Sequence, residues 1–80
     1  MKLYLLRPIS DDAGTPWYPW YDKAFGFVVR AESEEDARQI ATITAGMEGD
    51  NAWLLPKWST CIELLPDGKR GVVIRDFASA

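Results

Sequence analysis

A strand that turns directly into a capped helix, residues 24–47, sets the terms on which this chain can fold. From Ala24 to Ala31 the side chains alternate. Phe25, Phe27, Val29 and Ala31 fall on one face, and Gly26, Val28 and Arg30 on the other, the period of two that marks a half-buried strand. Ser33 then stands where a helix N-cap is wanted. Glu34, Glu35 and Asp36 occupy the first turn, where the helix dipole favours anions. Ser33-x-x-Asp36 is close to a capping box, with Asp in place of the usual Glu. Ala37, Ile40, Ala41, Ile43, Thr44 and Met47 follow at roughly helical spacing, and Gly46 or Gly49 is the natural stop. The pattern predicts a helix over about residues 34–46.

One amphipathic helix needs a sheet to cover, and the remaining segments supply strand candidates. Lys2 to Arg7 is β-compatible and is stopped by Pro8. With Leu3 and Leu5 inward, Lys2 and Tyr4 lie on the other face. Thr60–Leu65 and Gly71–Phe77 read as the arms of a hairpin around Pro66-Asp67-Gly68, whose residues suit a turn. A competing reading makes residues 59–63 a single capped helical turn. Pro56 interrupts the stretch 51–58 and makes it a turn or a short extended piece, with Trp53 and Trp58 closing the end of the core. The expected fold is α+β: a small two-layer domain with a three- to four-stranded, mostly antiparallel sheet under one amphipathic helix. Its order is strand, loop, strand, helix, strand, strand. At 80 residues this is one domain, 1–80, with a single modest core.

Composition narrows the chemistry. The chain has no His, which removes the Ser-His-Asp triad, the Cys-His pair and an imidazole base together. Its one cysteine, Cys61, allows no intrachain disulfide and no Cys/His zinc site. Asp11 and Asp12 are adjacent, but no Asp-rich calcium loop follows, and Gly46-x-x-Gly49 lacks the sequel of a phosphate loop. The expectation is a protein that is not an enzyme, with no cofactor and no metal. Cys61 reads as a small buried strand residue; a reactive thiol there requires a nearby cation or helix N-terminus. A net charge of −3 does not suit nucleic-acid binding. No apolar run approaches 18 residues, and Leu3-Tyr4-Leu5-Leu6 is too short for a signal-peptide core. These features place the chain in the cytoplasm with no membrane span.

The most informative segment for function is Trp17-Tyr18-Pro19-Trp20-Tyr21-Asp22, four aromatic residues within five positions. Packing is one explanation, because Trp and Tyr bury large areas. Pro16 and Pro19 make the backbone irregular, and irregular backbone resists deep burial of all four rings. A Pro-stiffened loop that displays Trp and Tyr is also how protein-binding hot spots are built. The division expected here is two rings tucked against the sheet and two presented to a partner. Asp11, Asp12 and Asp22 flank the rings and would repel phosphate, so single-stranded nucleic acid is a poor ligand. The helix-start carboxylates, with Glu34 and Glu35 foremost, join them as candidate contacts for basic residues of a partner.

Two stretches carry a resemblance. Residues 1–8, Met-Lys-Leu-Tyr-Leu-Leu-Arg-Pro, and residues 19–35, running from Pro19-Trp20-Tyr21-Asp22 through Val28-Val29-Arg30-Ala31-Glu32-Ser33-Glu34-Glu35, resemble small uncharacterised phage or prophage proteins. So do Trp53-Leu54-x-Pro56-Lys57-x-Ser59-Thr60-Cys61 and Gly71-Val72-Val73-Ile74-Arg75-Asp76-Phe77. Such proteins include inhibitors of host defence, anti-CRISPR proteins among them, that bind a protein complex stoichiometrically. The resemblance implies a non-enzymatic inhibitor in the bacterial cytoplasm. It would occlude a partner, a CRISPR effector complex for example, through Trp17, Tyr18, Trp20, Tyr21 and the neighbouring carboxylates. The rival expectations are a structural or accessory subunit of a larger phage assembly, and a small-molecule or catalytic domain using the Trp-rich surface and Cys61.

Overall fold

The computed structural model describes residues 1–76. Three strands form one antiparallel sheet, β1 (Lys2–Pro8), β2 (Phe27–Ala31) and β3 (Ser59–Leu64), in the order β2-β1-β3. Two helices, α1 (Glu34–Ile43) and α2 (Asp50–Leu54), stand between β2 and β3 in sequence. The class is α+β, as expected, but with a second helix and without a fourth strand among the described residues.

The centre of the sheet is β1. Its partners place Leu6 opposite Phe27 on one side and Cys61 on the other, and Tyr4 opposite Val29 and Glu63. Tyr4 and Leu6 are buried, while Leu3 and Leu5 point to the other face and are half-buried. The inward phase is therefore the reverse of the one expected from Leu3 and Leu5. Tyr4, Leu6, Val29 and Ala31 face the helices. The alternation in β2 holds for Phe27, Val29 and Ala31, whereas Phe25 precedes the strand and is exposed.

Helix α1 starts as the sequence dictates. Ser33 is extended, and its hydroxyl accepts from the Asp36 amide at 3.2 Å. The Asp36 carboxylate reaches back to the Glu32 amide at 3.0 Å, one residue before the cap position. The buried stripe differs from the expected one. Ala37, Arg38 and Ala41 pack inward, and Ile40, Ile43 and Met47 are exposed. Small alanines let the helix lie close to the sheet, and the volume beside them is filled by Trp53 of α2, which sequence patterning does not show. Arg38 spans that junction. Its guanidinium donates to the carbonyls of Trp53 (2.8 Å) and Ser59 (3.0 Å) and to the Ser59 hydroxyl (2.9 Å), and pairs with Glu34 at 3.2 Å. A carbonyl in the last turn of a helix has no intrahelical donor, and a buried one must find another.

The stretch 59–64 is strand, so the helical-turn alternative falls. Its partner is β1, and residues 71–76 form no strand; Phe77, the last residue of the expected second arm, lies outside the described residues. The chain after Leu64 instead returns to the opposite end of the sheet. There Ile74 and Asp76 line a cleft of about 330 Å³ with Leu5, Arg7, Phe25 and Val28. Covering part of the second sheet face with Ile74 takes the place of a fourth strand.

Candidate interaction site

The aromatic segment lies in the connection from β1 to β2. Successive turns carry it, with the Thr15 amide donating to the Asp12 carbonyl, Tyr18 to Thr15 and Trp20 to Trp17. One ring is driven inward. Trp17 is fully buried, its indole N–H donates to the Ala24 carbonyl at 2.7 Å, and its ring meets Trp53 edge-on at 5.2 Å. Phe27 meets Trp53 in the same way at 4.9 Å. Buried indoles are stable where the N–H finds an acceptor and the ring finds an edge contact.

The loop is then fastened at its far side. Lys23 Nζ donates to the Trp17 carbonyl at 3.0 Å and stands 4.9 Å above the Phe25 ring. The Ala24 amide donates to Glu48 Oε1 at 3.0 Å. The other carboxylate oxygen of Glu48 accepts from the Gly46 amide (3.0 Å) and the Trp53 indole (2.7 Å). Glu48 is buried, and these three N–H groups are what makes a carboxylate tolerable there. The Met47 amide donates to the Asp22 carbonyl at 2.6 Å. That approach is close enough to require glycine at position 46, since a Cβ there would come within 2.6 Å of the Asp22 carbonyl and 2.8 Å of the Lys23 Cα. Gly49, with φ of +82°, then turns the chain into α2.

Between these fastenings Tyr18, Trp20 and Tyr21 point outward, with Tyr21 95% exposed. The even split of rings is thus corrected to one in and three out, and Trp17 is removed from the contact surface. It cannot touch a partner because it fills the core. The side chains of Asp11, Asp12 and Asp22 are exposed along the same connection. Asp11 also lines a second cleft of about 310 Å³ with Arg7, Ser10, Phe25 and Asp76, beside the one under Ile74. Glu34 and Glu35 are exposed but do not join this surface. They follow the end of β2, whereas the aromatic loop enters its beginning, and Met47 beyond the far end of α1 is what meets Asp22. A strand of five residues and a helix of ten residues each span roughly 15 Å, which separates the two acidic groups.

Cys61 sits on the helix-facing side of β3, packed against the core. Burial pushes its thiol above the ordinary value; Arg38 opposes this, and Glu34 adds to it. A raised thiol carries less thiolate at neutral pH, the opposite of what a nucleophile needs. Among the described residues no three His, Cys, Asp or Glu side chains converge as metal ligands, and no helix is long and apolar enough to cross a membrane.

Sequence reasoning missed Glu48 and Arg38, the two charged residues that hold the loop and the helix pair. A lone acid between glycines and a basic residue on an otherwise apolar helix face are the faint signals that existed. Comparison with family models, with curated proteins and with solved structures finds no match to this chain. Surface geometry therefore carries the functional reading.

Proposed function

We propose that this chain is a non-catalytic protein-binding domain that engages its partner through the loop bearing Tyr18, Trp20 and Tyr21. The observation that carries this is the contrast within one loop. Trp17 and the Glu48 hydrogen bonds fix its backbone, and three large rings between the fixed points are left in water. Such preorganisation lowers the entropic cost of binding, and Trp and Tyr are the residue types enriched at hot spots. Asp11, Asp12 and Asp22 give the rim a negative charge suited to Lys or Arg of a partner and unsuited to nucleic acid directly. Following the resemblance to small phage proteins, the partner class is a host-defence complex in the bacterial cytoplasm, a CRISPR effector complex being the type case. The mode is occlusion of basic residues that otherwise hold nucleic acid.

The test is affinity capture from lysates of cells with and without a CRISPR effector, beside an interference assay in the same cells. A stoichiometric partner that the Trp20→Ala/Tyr21→Ala variant loses, with interference restored, supports the reading. Equal capture by parent and variant removes the loop from the interface. Unchanged interference in cells expressing the parent chain rejects the effector as target.

A further inference from the structure

Two clefts meet at one end of the sheet. The first, of about 330 Å³, lies on the face turned away from the helices, where Leu5, Val28, Ile74 and the Phe25 ring give it an apolar lining. The second, of about 310 Å³, continues past Ser10 and Asp11 at the start of the β1–β2 connection. Arg7, Phe25 and Asp76 line both clefts and so mark their junction. Three charged side chains stand open there. The half-buried Arg7 guanidinium makes no ion pair or hydrogen bond among the described residues, and the carboxylates of Asp76 and Asp11 make none either. Arg7 and Asp76 thus border one cleft without closing on each other.

This lining selects among ligands by charge. A simple anion would meet Arg7 but also two carboxylates, and a simple cation would meet the carboxylates but also Arg7. A hydrocarbon would fill the apolar part and desolvate three charges without pairing any of them, which is unfavourable. A ligand carrying both signs of charge beside an apolar group answers all of these at once. Charge-assisted hydrogen bonds run about 2.8 Å each, so an ammonium and a carboxylate on one carbon reach groups roughly 8 Å apart, a span that the first cleft contains. Clefts of about 300–1,000 Å³ are also the size that small ligands take.

We propose that the junction of the two clefts binds a free α-amino acid with an apolar side chain. Its carboxylate lies on the Arg7 guanidinium, whose planar fork suits two parallel hydrogen bonds to a carboxylate. Its ammonium faces Asp76 and Asp11, and its side chain rests among Leu5, Val28, Ile74 and Phe25. Every charged group at the junction then has a counterpart. The site uses none of the exposed rings of the 18–22 loop, and it goes beyond the partner-binding role proposed for them.

Amide NMR titration of the full chain with L-leucine and L-phenylalanine tests it. The expected result is saturable shifts at Leu5, Arg7, Gly26 and Val28, retained in the Trp20→Ala/Tyr21→Ala variant. Leucinamide, which lacks the carboxylate, and N-acetylleucine, which lacks the ammonium, should each bind about tenfold more weakly than leucine, one decade in the dissociation constant. Arg7→Gln should lower leucine affinity by a similar factor and leave leucinamide affinity unchanged. Asp76→Asn should do the same for leucine and leave N-acetylleucine unchanged. A loss of fold would weaken all three ligands alike, so these paired responses separate recognition from stability. Val28→Trp changes an exposed side chain, fills the apolar part of the cleft and should abolish the shifts while the circular dichroism stays that of the parent. Absence of saturable shifts with either amino acid at tens of millimolar overturns the proposal. So does equal binding of leucine, leucinamide and N-acetylleucine, which is the behaviour of an apolar groove without head-group recognition, and so does loss of binding in the Trp20→Ala/Tyr21→Ala variant, which places the ligand on the loop.

Discussion

The end of the molecule around Trp17 and the open face of its sheet are both rich in large apolar side chains, yet one is sealed and the other is covered only in part, by Ile74. At the sealed end the buried polar side chains all have partners. The Trp17 indole has the Ala24 carbonyl, the Trp53 indole has Glu48, and the Trp53 carbonyl has Arg38. No buried side-chain nitrogen or oxygen among the described residues lacks a hydrogen bond. On the open face the side chains of Leu5, Val28 and Ile62 are as apolar as those inside, but the chain has one helix layer and has used it on the other side. In a domain of this size, which residues become core depends less on their hydrophobicity than on where the few polar fastenings bring backbone elements together.

That contrast breaks most visibly at Trp17. Its replacement by Ala opens a cavity against Trp53 and strands the Ala24 carbonyl, so a loss of about 3–5 kcal/mol is expected in urea unfolding. An equal substitution that costs under about 1 kcal/mol would show that the sealed end is not the core. Next in size is Glu48→Ala. It leaves the amides of Ala24 and Gly46 and the Trp53 indole without their acceptor, a loss of about 2–3 kcal/mol. Amide exchange should quicken at Ala24 and Gly46 before it does in β1, because the loop loosens first.

On the exposed side of the same loop the expectation is near zero. Trp20→Ala and Tyr21→Ala should each move stability by less than about 0.5 kcal/mol, while either removes about 2–4 kcal/mol from partner binding if its ring is a hot spot. Melting curves and titration of the captured partner separate the two quantities. The smallest effect concerns Cys61. Its folded thiol is raised, so the folded state holds its proton more tightly than the unfolded chain does. The associated stability is complete below the ordinary thiol value and is lost as pH rises through the higher folded value. Unfolding followed above pH 9.0, the ordinary value, should therefore show a decline that Cys61→Ser flattens. Thiol alkylation of the native protein should also be slower than that of the unfolded chain.

Much was legible in the residues themselves. Ser33 and the three acids after it determined where α1 begins, because capping and the helix dipole act within one turn. The alternation of Phe27, Val29 and Ala31 determined the inward face of β2, because the pleat allows no other phase once one residue is inside. Pro8 ended β1 where expected. The crowding of Trp and Tyr at 17–21 marked the loop that now carries the exposed rings.

Other outcomes depended on contacts between segments far apart in the chain. Leu3 and Leu5 against Tyr4 and Leu6 is a choice between two apolar faces of one strand, and the sheet decided it when Leu6 met Phe27 and Cys61. Whether Ile40 and Ile43 or Ala37 and Ala41 faced inward was decided by Trp53, which already filled the space beside the sheet and left room for a methyl group but not for a branched chain. Trp17 went in and Trp20 stayed out because a carbonyl, a lysine and a carboxylate 24 residues away from Ala24 stood ready around the first alone. Local rules act through the backbone of a few neighbouring residues, and the sequence contains them in full. Burial is a competition among all side chains for one small interior, so it is settled by the assembled fold.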